Sequence, residues 1–141
     1  MLLPSPARPI LVAEAPRLTL AAIVEGLTAA LQRRPPRAAN EAELQAILWD
    51  HLRALDPRTV REHPLTRADR IDFLLGRTGI EVKVKGPSAE VTRQLWRYAE
   101  SDQIDDLILV TTRREHLRVI RQSAIFDGKP VHVLCIADYL L

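Results

Sequence analysis

At 141 residues, 47% of them hydrophobic, the chain is long enough to bury its own core and short enough to form a single domain with an extension. A net charge of +2 is too small to establish a nucleic-acid partner on its own. The single cysteine, Cys135, excludes an internal disulfide and a cysteine-based zinc site. No apolar run is long enough to cross a membrane, and Met1 to Pro9 lacks the basic start and apolar centre of a signal peptide. The expected location is cytoplasmic, with no membrane partner.

Residues 1–17 hold four of the ten prolines and little periodicity, which predicts an extended arm. Apolar residues at Leu20, Ile23, Val24, Leu27 and Leu31 predict an amphipathic helix over 18–31, interrupted only by Gly26. Arg33-Arg34-Pro35-Pro36-Arg37 ends it. The boundary is placed here: 1–37 is read as an extension and 38–141 as the core domain. The extension could cover the core, form a dimer contact or guard a cleft.

Asn40 and Glu43 have capping-box spacing at the head of a second helix, whose core stripe is Leu44, Ile47, Leu48, Leu52 and Leu55. Thr59 to Leu65 reads as a strand closed by Pro64, and an Arg-rich link follows. Glu62 and His63 lie close in sequence to what comes next and receive no role. Arg58, Arg61, Arg67 and Arg70, with Arg113, Arg114, Arg118 and Arg121 further on, would suit phosphate contacts if they share a face with a site.

The chain is organised around 71–98. Two apolar runs, Ile71–Leu75 and Ile80–Val84, flank Gly76-Arg77-Thr78-Gly79 and predict a hairpin with a four-residue loop. Closed symmetrically, that loop sets Leu75 against Ile80 and Asp72 against Lys83. Alternation then puts Ile71, Phe73, Leu75, Ile80, Val82 and Val84 on one apolar face, and Asp72, Leu74, Glu81 and Lys83 on the other. Cross-strand neighbours sit about 5 Å apart and diagonal ones about 7–8 Å. Two carboxylates so placed could share one divalent ion, with an ammonium beside them. Ser88 is the expected N-cap of a helix over 89–100, with Val91, Leu95, Tyr98 and Ala99 buried. Gln94 falls in the same stripe, where an amide is costly to bury without partners, so it is expected to face a polar site.

Leu107 to Val110 reads as a strand buried on both faces, parallel to its predecessor through a helical crossover. Residues 114–123 read as a short basic helix, Asp127-Gly128 as a turn, Val131 to Cys135 as a last strand and Ala137 to Leu141 as a closing helix. The core order is therefore α-β-β-β-α-β-α-β, an α/β (α+β) arrangement with a mixed sheet flanked by helices. There is no glycine-rich phosphate loop, no G-x-S-x-G elbow and no H-E-x-x-H.

Asp72, then Glu81-Val82-Lys83, then Gln94-Leu95-Trp96-Arg97-Tyr98 resembles the PD-(D/E)XK nucleases, most closely their RecB-like branch with its Q-x-x-x-Y helix motif. Ile71-Asp72 stands where the family name has Pro-Asp. The resemblance covers roughly Arg37 to the C-terminus and implies a restriction-endonuclease-like core and a nuclease acting on DNA. It also implies an endonuclease that uses Mg²⁺, with Mn²⁺ able to substitute, bound by Asp72, Glu81 and the carbonyl of Val82. The family's acidic residue on the first core helix maps to Glu41 in preference to Glu43, which already has a capping position. Lys83 would orient the attacking water or stabilise charge on the phosphate, and Gln94 and Tyr98 would border the site. Lys85 could touch a phosphate. With no separate DNA-reading domain visible, specificity would come from a homodimer, the extension or another subunit. A non-catalytic nucleic-acid-binding or assembly module is the competing expectation.

Overall fold

The computed structural model describes residues 17–37, 40–119 and 123–137. The N-terminal arm, Arg121 and nearly all of the expected closing helix lie outside these. The described chain is α+β, with a mixed six-stranded sheet and helices packed on both faces.

The first helix, α1 (Leu20–Arg33), is capped by Thr19, whose hydroxyl accepts from the Ala22 N–H. Gly26 does not interrupt it. It is a packing notch, because a Cβ there would stand 3.1 Å from His51 Nε2 on the next helix. That helix, α2 (Glu41–Leu55), starts as the capping pattern predicts, with Asn40 Oδ1 accepting from the Glu43 N–H at 3.0 Å. Although the sequence reading assigns α1 to an extension, Ile23, Leu27 and Leu31 are fully buried in one cluster with Leu48, Phe73, Ile80 and Val110.

The strands β1 (Val60–Pro64), β2 (Arg70–Leu75) and β3 (Thr78–Lys83) form an antiparallel meander. The predicted four-residue hairpin loop is corrected to a two-residue turn, Gly76-Arg77, with pairs Leu75↔Thr78, Leu74↔Gly79 and Phe73↔Ile80. Gly76, at φ 61°, supplies the positive φ that such a tight turn requires. Gly79 belongs to the strand for a different reason: a Cβ there would lie 2.4 Å from Ile71 Cδ1 and 2.9 Å from Leu107 Cδ2. The register therefore slips by two residues relative to the expectation. A two-residue slip preserves the faces and changes the partners. Continuing the count sets Asp72 against Glu81, not Lys83.

Helix α3 (Ser88–Ala99) and β4 (Asp106–Thr111) complete the expected crossover between parallel strands, with Glu81↔Leu109 and Lys83↔Thr111 in register. The expected Ser88 N-cap is corrected to Pro87, which makes no side-chain cap; Ser88 Oγ instead donates to the Glu115 carbonyl at 2.9 Å. The predicted basic helix over 114–123 is also corrected. Helix α4 spans His116–Val119, residues 120–122 lie outside the described residues, and Ser123–Phe126 is a strand, β5, paired with β6 (Lys129–Cys135) through a turn at Asp127-Gly128. Both turn residues have positive φ, 51° and 73°. The sheet order is β1-β2-β3-β4-β6-β5. A second cluster, Val91, Leu95, Tyr98, Ile104, Leu107 and Leu109 among others, lies between the sheet and α3.

Candidate active site

The site forms where the β2–β3 ladder opens. Registered pairing runs from the turn to Phe73↔Ile80 and stops. Beyond it, side chains replace the cross-strand carbonyls as acceptors. The Val82 N–H donates to Asp72 Oδ2 at 2.8 Å, and the Asp72 N–H donates to Glu81 Oε1 at 3.1 Å. Each carboxylate thus satisfies a backbone donor on the opposite strand. The alternation of β2 breaks at the same place. Phe73 and Leu75 pack under α1 and α2, whereas Ile71 joins the α3 cluster, which corrects the expectation that all three share a face.

Glu81 is only 2% exposed, an unusual place for a carboxyl group. Burial, and then the negative charge of Asp72 beside it, push its pKa up to about 8, against a smaller opposing pull from Lys83. Its Oε2 stands 3.0 Å from the Tyr98 hydroxyl and 3.6 Å from Lys83 Nζ. The Tyr98 hydroxyl is also 3.0 Å from the Arg70 carbonyl, so one phenolic proton faces two acceptors. A protonated Glu81 resolves this by donating to Tyr98 while Tyr98 donates to Arg70. Burial and the Glu81 charge also raise the Tyr98 pKa, keeping the phenol a donor.

Lys83 is half-buried and lines an open cleft of about 510 Å³. Glu41 at the head of α2 and Gln94 on α3 line the same cleft. Elements from both sides of the sheet therefore bring Glu41, Lys83 and Gln94 to one cavity. Asp72, Glu81 and Tyr98 lie behind Lys83, joined to it through Glu81. Gln94 is half-buried, as a polar residue facing a cleft should be. Glu43 does not line the cleft.

The sequence reading missed part of this rim. Arg93, Arg97 and Glu90, to which it gave no role, line the cleft with Glu41, Lys83, Lys85 and Gln94, to which it did. Their signal was present, since 90, 93, 94 and 97 share one helical face. It also missed His116, which is buried and pins the loop between β3 and α3. His116 Nε2 donates to the Gly86 carbonyl at 3.0 Å, leaving Nδ1 to accept from Thr111 Oγ1 at 2.6 Å. His63 pairs with Gln103 at 2.7 Å, and Glu62 is exposed at φ 52°. Neither joins the cleft. Arg113 is paired with Glu115 at 2.7 Å, and Arg97 with Asp69 at 3.3 Å.

Among the described residues, no three His, Cys, Asp or Glu side chains gather as a ligand group, and no helix is long and apolar enough to cross a membrane. The oxygen donors at the centre are the two carboxylates of Asp72 and Glu81. A pair of adjacent carboxylates fits Mg²⁺, which is commonly held through one or two carboxylates with waters and substrate phosphates completing its shell. The repulsion that raises the Glu81 pKa is what a divalent cation would relieve. No family model, no curated protein and no solved structure matches the chain.

Proposed function

We propose that the protein is a metal-dependent nuclease that hydrolyses phosphodiester bonds in DNA, with a RecB-like site on a restriction-endonuclease-like core. One observation carries this reading. Asp72 and Glu81 meet where the β2–β3 ladder opens, and Lys83 extends from beside Glu81 into a cleft that also holds Glu41 and Gln94. Each carboxylate caps one backbone donor, but setting the half-buried Asp72 against the buried Glu81 raises the cost of ionising Glu81, a cost that a backbone acceptor in the same place would not carry. A buried acid with a raised pKa, paired with a lysine that lines an open cleft, suits chemistry better than packing.

On this reading Asp72 and Glu81 would hold Mg²⁺ or Mn²⁺, with the Val82 carbonyl as a further protein donor. The ion, when bound, supplies Lewis acidity toward the phosphate and lowers the pKa of water. The chain's own residues do the rest. Lys83 places a positive charge where the scissile phosphate gains negative charge. Glu41 takes a hydrogen bond from water at the mouth of the cleft. Tyr98 holds the Glu81 carboxylate in place from behind, and Gln94 offers an amide to the substrate strand. Specificity would come from a second copy of the chain or another subunit.

The test pairs a binding readout with a cleavage readout. Calorimetric Mg²⁺ titration at pH 8 should show binding to the wild type that Asp72→Asn and Glu81→Gln each abolish. Linear duplex, single strand, supercoiled circle and branched junction, offered with Mg²⁺ or Mn²⁺, should identify the substrate that is cut. Mg²⁺ binding that survives both substitutions would place the metal elsewhere and end this assignment.

A further inference from the structure

We propose that Lys85 and Arg93 form a second anion-binding subsite, holding a backbone phosphate that flanks the one beside Lys83. This rests on the nuclease reading above and extends it from the bond that is cut to the strand that is bound. Four cationic side chains line the cleft: Lys83, Lys85, Arg93 and Arg97. Two are already committed. Lys83 lies 3.6 Å from Glu81, and Arg97 pairs with Asp69 at 3.3 Å. Among the described residues, Lys85 and Arg93 make no hydrogen bond or ion pair, although Glu41 and Glu90 line the same cleft.

The two arrive from different elements. Lys85 follows the end of β3, two residues beyond Lys83, and Arg93 precedes Gln94 on α3. Convergence matters because the loop between these elements is anchored. His116 holds the Gly86 carbonyl and Ser88 holds the Glu115 carbonyl, so the backbone joining Lys85 to α3 is fixed at two points. Two uncommitted cations on a fixed frame, beside a phosphate-cleaving site, are complementary to the next negative charge along a polyanion. A lysine and an arginine there read the backbone and carry no base information, so the subsite grips without selecting sequence.

The experiment is fluorescence anisotropy with labelled 20-nucleotide single-stranded and duplex DNA in EDTA, from 50 to 200 mM salt. It compares wild type, Lys85→Ala, Arg93→Ala, the double variant and Arg53→Ala. Arg53 is the control cation, on the C-terminal half of α2 and away from the cleft. The double variant should bind on the order of tenfold more weakly at 50 mM salt, with its log–log salt slope shallower by roughly 1.8 on duplex or roughly 1.4 on single strand. A form of DNA whose slope shift reaches its own expected value occupies the subsite. A double variant that matches Arg53→Ala in both affinity and slope would overturn the proposal. Binding is read without metal, so it is independent of cleavage. If Lys83→Ala abolishes cutting while the slope is unchanged in the double variant, the subsite is wrong and the nuclease reading stands.

Discussion

Glu81 is the residue on which stability and the proposed activity pull in opposite directions. Its carboxyl is buried against Asp72, and its pKa rises to about 8 from an ordinary 4.5. Between those values the folded state holds a proton that the unfolded chain has released, so stability falls as pH rises through this window. The contribution is intact below about pH 4.5 and lost above about pH 8. Glu81→Gln keeps the shape and cannot ionise. It should therefore raise the melting temperature at pH 8.5, by the equivalent of a few kcal/mol as an order of magnitude, and change little at pH 4.5. Melts in EDTA at both pH values check this; a variant less stable than wild type at pH 8.5 would contradict it. Tyr98→Phe removes the hydroxyl that links Glu81 to the Arg70 carbonyl, which should cost about 1–2 kcal/mol in urea unfolding. If Tyr98 positions the carboxylate, cleavage should slow by roughly tenfold to a hundredfold without being lost. None of this energetics was legible in the sequence, which placed Asp72, Glu81 and Tyr98 in a motif without showing which carboxyl would be buried.

Among the elements, the hairpin shows both what periodicity reveals and what it conceals. The pattern of apolar residues marked two strands and a helix with the right order and nearly the right limits, because burial on a face imposes a period. It could not place the turn. Gly76 and Gly79 look equivalent in the sequence but act differently: Gly76 turns the chain, whereas Gly79 makes room for Ile71, Leu107 and Ile104. Gly79→Ala should therefore cost about 1–3 kcal/mol by overpacking, measured by urea unfolding. A neutral result would mean that the three apolar side chains have room to shift. The strand β5 was hidden for another reason. Ser123 to Phe126 is only four residues long and, among the described residues, pairs with β6 alone, so the run has little period to detect. His116 was hidden because its role is set by Gly86 and Thr111, thirty and five residues away.

At the scale of the molecule, α1 behaves as part of the core. Leu27 is fully buried in the cluster that holds Leu48 and Val110. Leu27→Ala should cost about 2–5 kcal/mol, comparable to Leu48→Ala, and shift a single cooperative urea transition. A separate early transition would show instead that α1 unfolds on its own. The packing of α1 was not legible as such, because its amphipathic stripe announced a buried face without saying what it faced. The function proposed here depends on the whole architecture: β2 and β3 supply the carboxylates, β3 supplies Lys83, and α2 and α3 close the cleft around it. Lys83 is the residue where these meet, and it is half-buried and lines the cleft, so its truncation should leave the fold intact. The most direct measurement is cleavage of labelled DNA by purified wild type and Lys83→Ala, each with Mg²⁺ and with EDTA. The account predicts Mg²⁺-dependent cutting by the wild type, at least a hundredfold slower in Lys83→Ala by analogy with loss of a single charge-stabilising donor, about 10²–10³ in rate. Cutting at the same rate by Lys83→Ala with an unchanged melting temperature would contradict it.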